Sequence, residues 1–334
     1  ERLALLLSHV DPRSNLGTPQ RRMGDMDMDD SPAHARPPLN FASFTQVEKL
    51  PQARHASGEV WRVRDASGGE CVFKVICVPV REEEIEPNLQ GVREAWEAAS
   101  AHPNICTLLG CMYDRPKRSF VIATEWMDAL SLGEHMRTDE PIPEQVVGGV
   151  TKQVTSALAH LHKVWHRAHR DLKPSNILVN LRGEARVTDL GQSKQLAMTL
   201  GQMGTYVGAQ VYMSPQRIQG AKYTSACDVW SLGMILQECL LGFFPYREVL
   251  REQGAEGSVD VLIEVIEEGP PPPLAQSFSP DARDFCLRAL HFSEADRPTS
   301  MDLMNHPYAL NSSTQPLAEW LATVSMPRLG RTPS

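Results

Sequence analysis

Hydrophobic periodicity changes once along this chain, and that change bounds the fold. From Phe44 to Val80 apolar residues alternate with polar ones. EVWRVRD and ECVFKVICV flank Ser67-Gly68-Gly69 and read as a hairpin, and RSFVIATEWM reads as another strand. Between them LQGVREAWEAAS reads as a helix ended by HPN. After Ser131 the helical period takes over. VVGGVTKQVTSALAHLH places Val146, Val150, Val154, Leu158 and Leu161 on one face. Gly148 and Gly149 weaken that helix by roughly 1 kcal/mol each. DVWSLGMILQECLLG is apolar nearly all round and predicts a buried central helix, whereas GPPPPL is a stiff loop. Strands first and helices later imply an α+β chain with a small β-rich lobe and a larger helical one. The 334 residues suffice for two such lobes around one cleft.

Composition excludes several classes. A net charge of -8, from 33 Lys and Arg against 41 Asp and Glu, is not that of a nucleic-acid binder. No apolar run approaches the ~20 residues that cross a bilayer, and Leu3 to Leu7 are too few for a signal-peptide core. The seven cysteines show no C-x-x-C pair and no zinc spacing, so they read as free buried thiols of a reducing, cytoplasmic compartment. Residues 1 to about 40 lack periodicity, cluster acids and carry Pro37-Pro38, the pattern of a disordered tail. The chain begins with Glu1, as a fragment would.

The chemistry is concentrated in HRDLKPSNILVN, His169 to Asn180. A phosphoryl-transfer enzyme needs a carboxylate to orient and deprotonate the attacking hydroxyl, an ammonium to offset charge, and an oxygen ligand for a metal. Asp171, Lys173 and Asn176 supply these in one short loop. Thirteen residues beyond Asn176, Asp189 in TDLG offers a second and main Mg²⁺ ligand. Lys74, in a strand, would reach the α/β-phosphates of ATP. A lysine held there needs an anionic partner, for which VREAWE offers Glu94 or Glu97.

VFKV, HRDLKPSN, DLG, MSPQR, DVWSLG and ADRPT follow one another in an order that resembles the eukaryotic protein kinases over about residues 45 to 310. The resemblance implies a bilobal kinase fold: a tail over 1–40, a kinase domain over 41–310 with its N-lobe at about 41–126 and C-lobe at about 127–310, and a C-terminal extension over 311–334 with a short helix. YVGAQVYMSPQRIQG and HPY…LAEWLATVS resemble the dual-specificity MAP kinase kinases in particular. That likeness implies ATP and Mg²⁺ as cofactors, a MAP kinase as substrate and a MAP kinase kinase kinase as activator. By the same likeness Thr124 lies at the back of the adenine pocket, and Glu125 and Met127 present hinge backbone groups. Val60 and Val72 form the pocket's ceiling and Leu178 its floor, although each equally suits a plain core. Thr199 and Thr205, with five residues between them, resemble the activating phosphosites of the plant members; the bland alternative is two solvent-facing threonines. Phosphates there would pair with Arg170.

The chain also departs from the family. The glycine-rich loop over the phosphates reads Ala53, His55, Gly58, Val60, so one glycine of three remains. Leu190 replaces a Phe, Gln216 replaces a Glu expected to pair with Arg297, and Ala209 replaces a Thr. Two functions follow: a working MAP kinase kinase, or a pseudokinase scaffold that binds cascade kinases with weak or no catalysis. Arg21-Arg22 before Met26-Asp27-Met28 loosely resembles a MAP kinase docking peptide, though the surrounding acids suit a disordered linker.

Overall fold

A computed structural model describes residues 39–51, 58–78, 80–97, 102–190, 210–255 and 258–325. These fall into two compact units, one with residues 39–51, 58–78, 80–93 and 108–126, the other with 94–97, 102–107 and the described residues from 127 on.

The first unit is a five-stranded antiparallel sheet of order β1-β2-β3-β5-β4, built from β1 (Thr45–Lys49), β2 (Glu59–Arg64), β3 (Glu70–Cys77), β4 (Leu108–Asp114) and β5 (Ser119–Glu125). Its hairpin is the one expected, but the turn begins at Asp65. That carboxylate accepts the N–H groups of Ser67 and Gly69, both at 2.8 Å, and so closes the loop locally. Alternation buries Trp61, Val63, Cys71, Phe73, Val75, Val121 and Ala123 on one face. Phe41 and Phe44 cover that face, each with its ring 5.2 Å from Phe73.

Helix α1 runs Glu82–Glu97, so it starts seven residues before the expected Leu89. The reason is local. Glu84, in the first turn, reaches back to accept the N–H of Arg81 at 2.9 Å, and three acids crowd the helix's positive end. Pro87 falls just beyond the first turn and is accommodated.

The second unit is mostly helical: α2 (Glu144–Lys163), α3 (Pro215–Ile218), α4 (Ala226–Leu241), α5 (Arg247–Glu252), α6 (Val259–Glu268), α7 (Pro280–Ala289), α8 (Ser300–Met304), α9 (Pro307–Leu310) and α10 (Gln315–Ser325). A two-stranded ribbon, β6 (Ile177–Val179) with β7 (Ala185–Val187), completes it. Helix α4 is buried over almost its whole circumference, as its composition requires. Val146, Val150, Val154, Leu158 and Leu161 are all buried. Gly148 and Gly149 also have a packing reason. A Cβ on Gly148 would strike the Ser312 hydroxyl, and one on Gly149 would stand 2.6 Å from the Ser313 carbonyl. The chain leading into α10 thus crosses α2 at backbone distance.

The seven cysteines are free, but only five are buried; Cys77 is exposed and Cys111 partly so. Cys77 is exposed as the last residue of β3, and Cys111 alternates with the core residue Met112 on β4, so it faces away from that core. Among the described residues no helix is long and apolar enough to cross a membrane.

Candidate active site

The second unit carries the loop His169–Asn176 between α2 and β6. Lys173 precedes a proline and is therefore extended, with φ -158° and ψ 163°. Pro174 then starts a 3₁₀ turn, Pro174–Asn176, that folds the chain back on itself. The result gathers three of the expected side chains. Lys173 Nζ lies 2.8 Å from Asp171 Oδ2, and Asn176 Nδ2 donates to the same oxygen at 3.0 Å and to the Asp171 carbonyl at 2.7 Å. Asn176 is buried, and its amide nitrogen is committed to Asp171. Its Oδ1 is thereby left as an acceptor with no hydrogen-bond partner among the described residues.

Three groups hold this loop. Asp228, fully buried at the start of α4, accepts the backbone N–H of His169 at 2.6 Å and of Arg170 at 2.9 Å. His162 Nε2 stands 2.8 Å from the same carboxylate, and its Nδ1 2.9 Å from Ser300 Oγ. Burial alone would raise Asp228, but the His162 hydrogen bond and the backbone donor from Arg170 hold its carboxyl below the usual range. His169 Nδ1 accepts the N–H of Asp171 at 3.2 Å, so the ring carries its proton on Nε2, which donates to the Thr188 carbonyl at 2.8 Å. Arg170 is left-handed, with φ 70°, and the Asp228 bond offsets that strain.

The ribbon brings in the fourth residue. Ile177 pairs with Val187, and one step on Thr188 N–H donates to the Asn176 carbonyl at 3.0 Å. Thirteen residues of sequence are thereby folded away, and Asp189 follows at the end of the ribbon that bears Asn176. Asp189 is half-buried, with φ 61°. Leu190 beside it is buried, so the aliphatic replacement packs. Leu178 is half-buried on β6, and Met127 is buried.

The first unit arranges its own share. Val60 is opposite Lys74 and Val72 opposite Thr124 in the strand register. Directly opposed residues share a face, and Val72 and Lys74 are two apart, so all four line the face of the sheet away from the aromatic core. Val60, Val72 and Lys74 are half-buried there and Thr124 is buried. Glu125, opposite Cys71, is half-buried at the end of β5. Gly58 has φ 92°, and a Cβ on it would collide with the Val75 carbonyl. The one glycine kept from the loop is thus required by strand packing, whatever else it does.

Glu94 is exposed in the last turns of α1, and Glu97 is that helix's final described residue. Ala53, His55, Thr199, Thr205 and Ala209, and the tail with Arg21 and Arg22, lie outside the described residues.

The protein kinase domain family model matches residues 54–309. The chain belongs to the protein kinase family. Several relatives of this kinase are named as MAP kinase kinases. It is 39% identical to mitogen-activated protein kinase kinase 2 of Arabidopsis thaliana over 63% of this chain and 57% of that one. It is 40% identical to mitogen-activated protein kinase kinase 1c of Physcomitrium patens over 55% and 53%. It is 38% identical to dual specificity mitogen-activated protein kinase kinase 1 of Dictyostelium discoideum over 57% and 28%. The chain spans about half the length of the curated relatives it matches.

Two further arrangements involve α3 and α4 of the kinase, the first at the Gln216–Arg297 pair that the sequence already singled out and the second missed by it. Gln216 does bond Arg297, accepting from Nη2 at 2.6 Å, while its own amide donates to the Phe292 carbonyl at 2.9 Å. Burial lowers the Arg297 guanidinium to about 10, and the ring of Trp230 lies 5.0 Å beneath it. Second, Tyr212 is tied to α4 twice, donating from its hydroxyl to Glu238 at 2.7 Å and accepting at its carbonyl from Ser231 Oγ at 2.7 Å. The usable signal for the Tyr212 ties, and for Asp228, was a polar residue in an otherwise apolar helix: Asp228, Ser231 and Glu238 interrupt α4.

The donor set suits Mg²⁺. Among the described residues no group of three or more His, Cys, Asp and Glu could hold a metal. Mg²⁺ is commonly bound by one or two protein oxygens together with substrate phosphates. The Oδ1 of Asn176 and the carboxylate of Asp189, which follows the ribbon strand hydrogen-bonded to Asn176, are oxygens of that kind.

Proposed function

We propose that this kinase is of the MAP kinase kinase type, transferring the γ-phosphoryl group of ATP to Thr and Tyr of a MAP kinase's activation loop. The observation that carries the reading is the Asp171–Lys173–Asn176 cluster, with one carboxylate oxygen held by an ammonium and an amide. The named relatives support the choice within kinases.

In this reading Asp171 orients the substrate hydroxyl and takes its proton as the oxygen attacks phosphorus. Lys173 offsets charge on the moving phosphoryl group, and its contact with Asp171 keeps that carboxylate's rotamer. Asn176 and Asp189 would hold Mg²⁺, which when bound neutralises charge on the phosphates. Lys74 contacts the α/β-phosphates with Glu94 as its partner. Ala53, Gly58, Val60, Val72, Thr124, Glu125, Met127 and Leu178 enclose the nucleotide. Thr199 and Thr205 are the activating phosphosites of an upstream MAP kinase kinase kinase, and the protein acts in the cytoplasm.

The test is Mg·ATP-dependent transfer to a panel of catalytically inactive MAP kinases, using the chain with Thr199→Glu and Thr205→Glu, and Lys74→Met as the blank. Phosphate on both Thr and Tyr of one substrate, absent with the blank, is the expected outcome. ATP binding without transfer to any panel member overturns the substrate assignment. Absence of ATP binding selects the scaffold.

A further inference from the structure

The second unit carries a pair of arginines that the proposed chemistry does not use as a pair. Arg170 and Arg217 reach the ring of Tyr223 from different segments, with guanidinium carbons 5.9 Å and 5.5 Å from its centroid. Arg170 is exposed beside the catalytic loop, and Arg217 is half-buried in α3. Neither forms a salt bridge with a carboxylate among the described residues. Tyr223 is 38% exposed, and its hydroxyl has no hydrogen-bond partner among them. The next residue is fixed: Thr224 donates its N–H at 2.7 Å and its hydroxyl at 2.8 Å to Glu294. Glu294 is therefore engaged by the residue next to Tyr223, and the tyrosine stands at an anchored position beside two cations, with Lys222 next to it in sequence.

We propose that Tyr223 is a phosphoryl acceptor whose phosphate is held by Arg170 and Arg217. The two guanidiniums already stand 5.9 Å and 5.5 Å from the centroid of the ring that would carry the phosphate, and two planar forks match the oxygens of a phosphate monoester. In the modification, Tyr223 Oη bonds to the γ-phosphorus of ATP as the bond to the bridging β-oxygen breaks. ADP leaves, and the phenolic proton passes to the carboxylate base of the kinase acting in trans. The acceptor role does not depend on transfer by this chain itself. Tyr223 lies apart in sequence from Thr199 and Thr205, so its phosphate would add a second claim on Arg170.

Phosphotyrosine installed at 223 in the full chain would be titrated by ³¹P NMR. The expected midpoint falls from about 6 to about 5, because two cations favour the dianion. Arg217→Gln should return it most of the way, and Arg217→Lys, which keeps the charge, only part of the way. A midpoint equal to that of free phosphotyrosine, or one indifferent to Arg217→Gln, overturns the clamp. In parallel, folded chain is treated with Mg·ATP and a purified broad-specificity tyrosine kinase and mapped by mass spectrometry, with heat-unfolded chain as the control. Phosphate on Tyr223 of the folded chain is expected. Uptake by the unfolded chain alone overturns the acceptor role.

Discussion

Asp228 Oδ1 accepts the backbone N–H of Arg170 at 2.9 Å, and through that bond a buried helix holds the loop that presents Asp171. The bond falls on a residue whose φ of 70° costs energy, immediately before the proposed base. The active loop is thus shaped by α4 as much as by its own sequence.

Asp228→Asn should therefore weaken both fold and transfer. An amide can accept at one oxygen only, and its NH₂ would face backbone donors. The expected destabilisation is about 2–4 kcal/mol at pH 7, read by urea unfolding. The Asp228 carboxyl is held low, so its stabilisation is present above the unfolded value of about 3.9 and lost as pH falls through the depressed folded value. The gap between the two proteins should close below that point.

Glu238 has the opposite sign. Burial raises its carboxyl to about 7, despite the Tyr212 hydroxyl, which lowers it. Between about 4.3 and 7 the folded state keeps a proton that the unfolded state has released, so stability falls as pH rises through that window. Glu238→Gln keeps an acceptor for Tyr212 without the charge. It should stabilise the protein by on the order of 2 kcal/mol at pH 8 and hardly at all at pH 4, checked by urea midpoints across that range.

The neighbouring glycines of α2 should behave differently. Ala at 149 gains helix propensity of about 1 kcal/mol but meets the Ser313 carbonyl, which is backbone and cannot rotate away; a net loss of about 1–2 kcal/mol is expected. Ala at 148 meets a hydroxyl that can turn, giving up its 2.7 Å bond to the Tyr308 carbonyl. Its net effect should lie within about 1 kcal/mol of zero. Thermal unfolding of the two variants separates them.

Gly58→Ala should cost about 2 kcal/mol or more of stability, since it adds both a left-handed non-glycine and a collision with Val75. Loss of stability measured without nucleotide would establish that this glycine serves the sheet. An unchanged melting temperature would return it to the phosphates alone.

Much was legible in the residues because it is local. Alternation in ECVFKVICV and the Asp65–Gly69 turn need only neighbouring residues, and they form the hairpin expected. The spacing of Asp171, Lys173 and Asn176 around a proline brings those side chains together within one turn. The early start of α1 was also written locally, in Glu84 three residues after Arg81, but Pro87 and the acidic run masked it.

The order of elements, the buried faces and the residue types of the phosphoryl-transfer loop are therefore written in the residues themselves. These follow from periodicity, turn chemistry and short-range sterics, which act over a few residues. Which groups hold that loop is set by long-range packing. Asp228 lies 59 residues from His169, and its buried charge is stable because folding brings His162 and two backbone donors to it. The same holds for Gly149 against Ser313 and for Arg170 against Tyr223. Each joins segments that no local rule connects. Desolvation and close packing act on whatever the finished fold places together, whatever the distance along the chain.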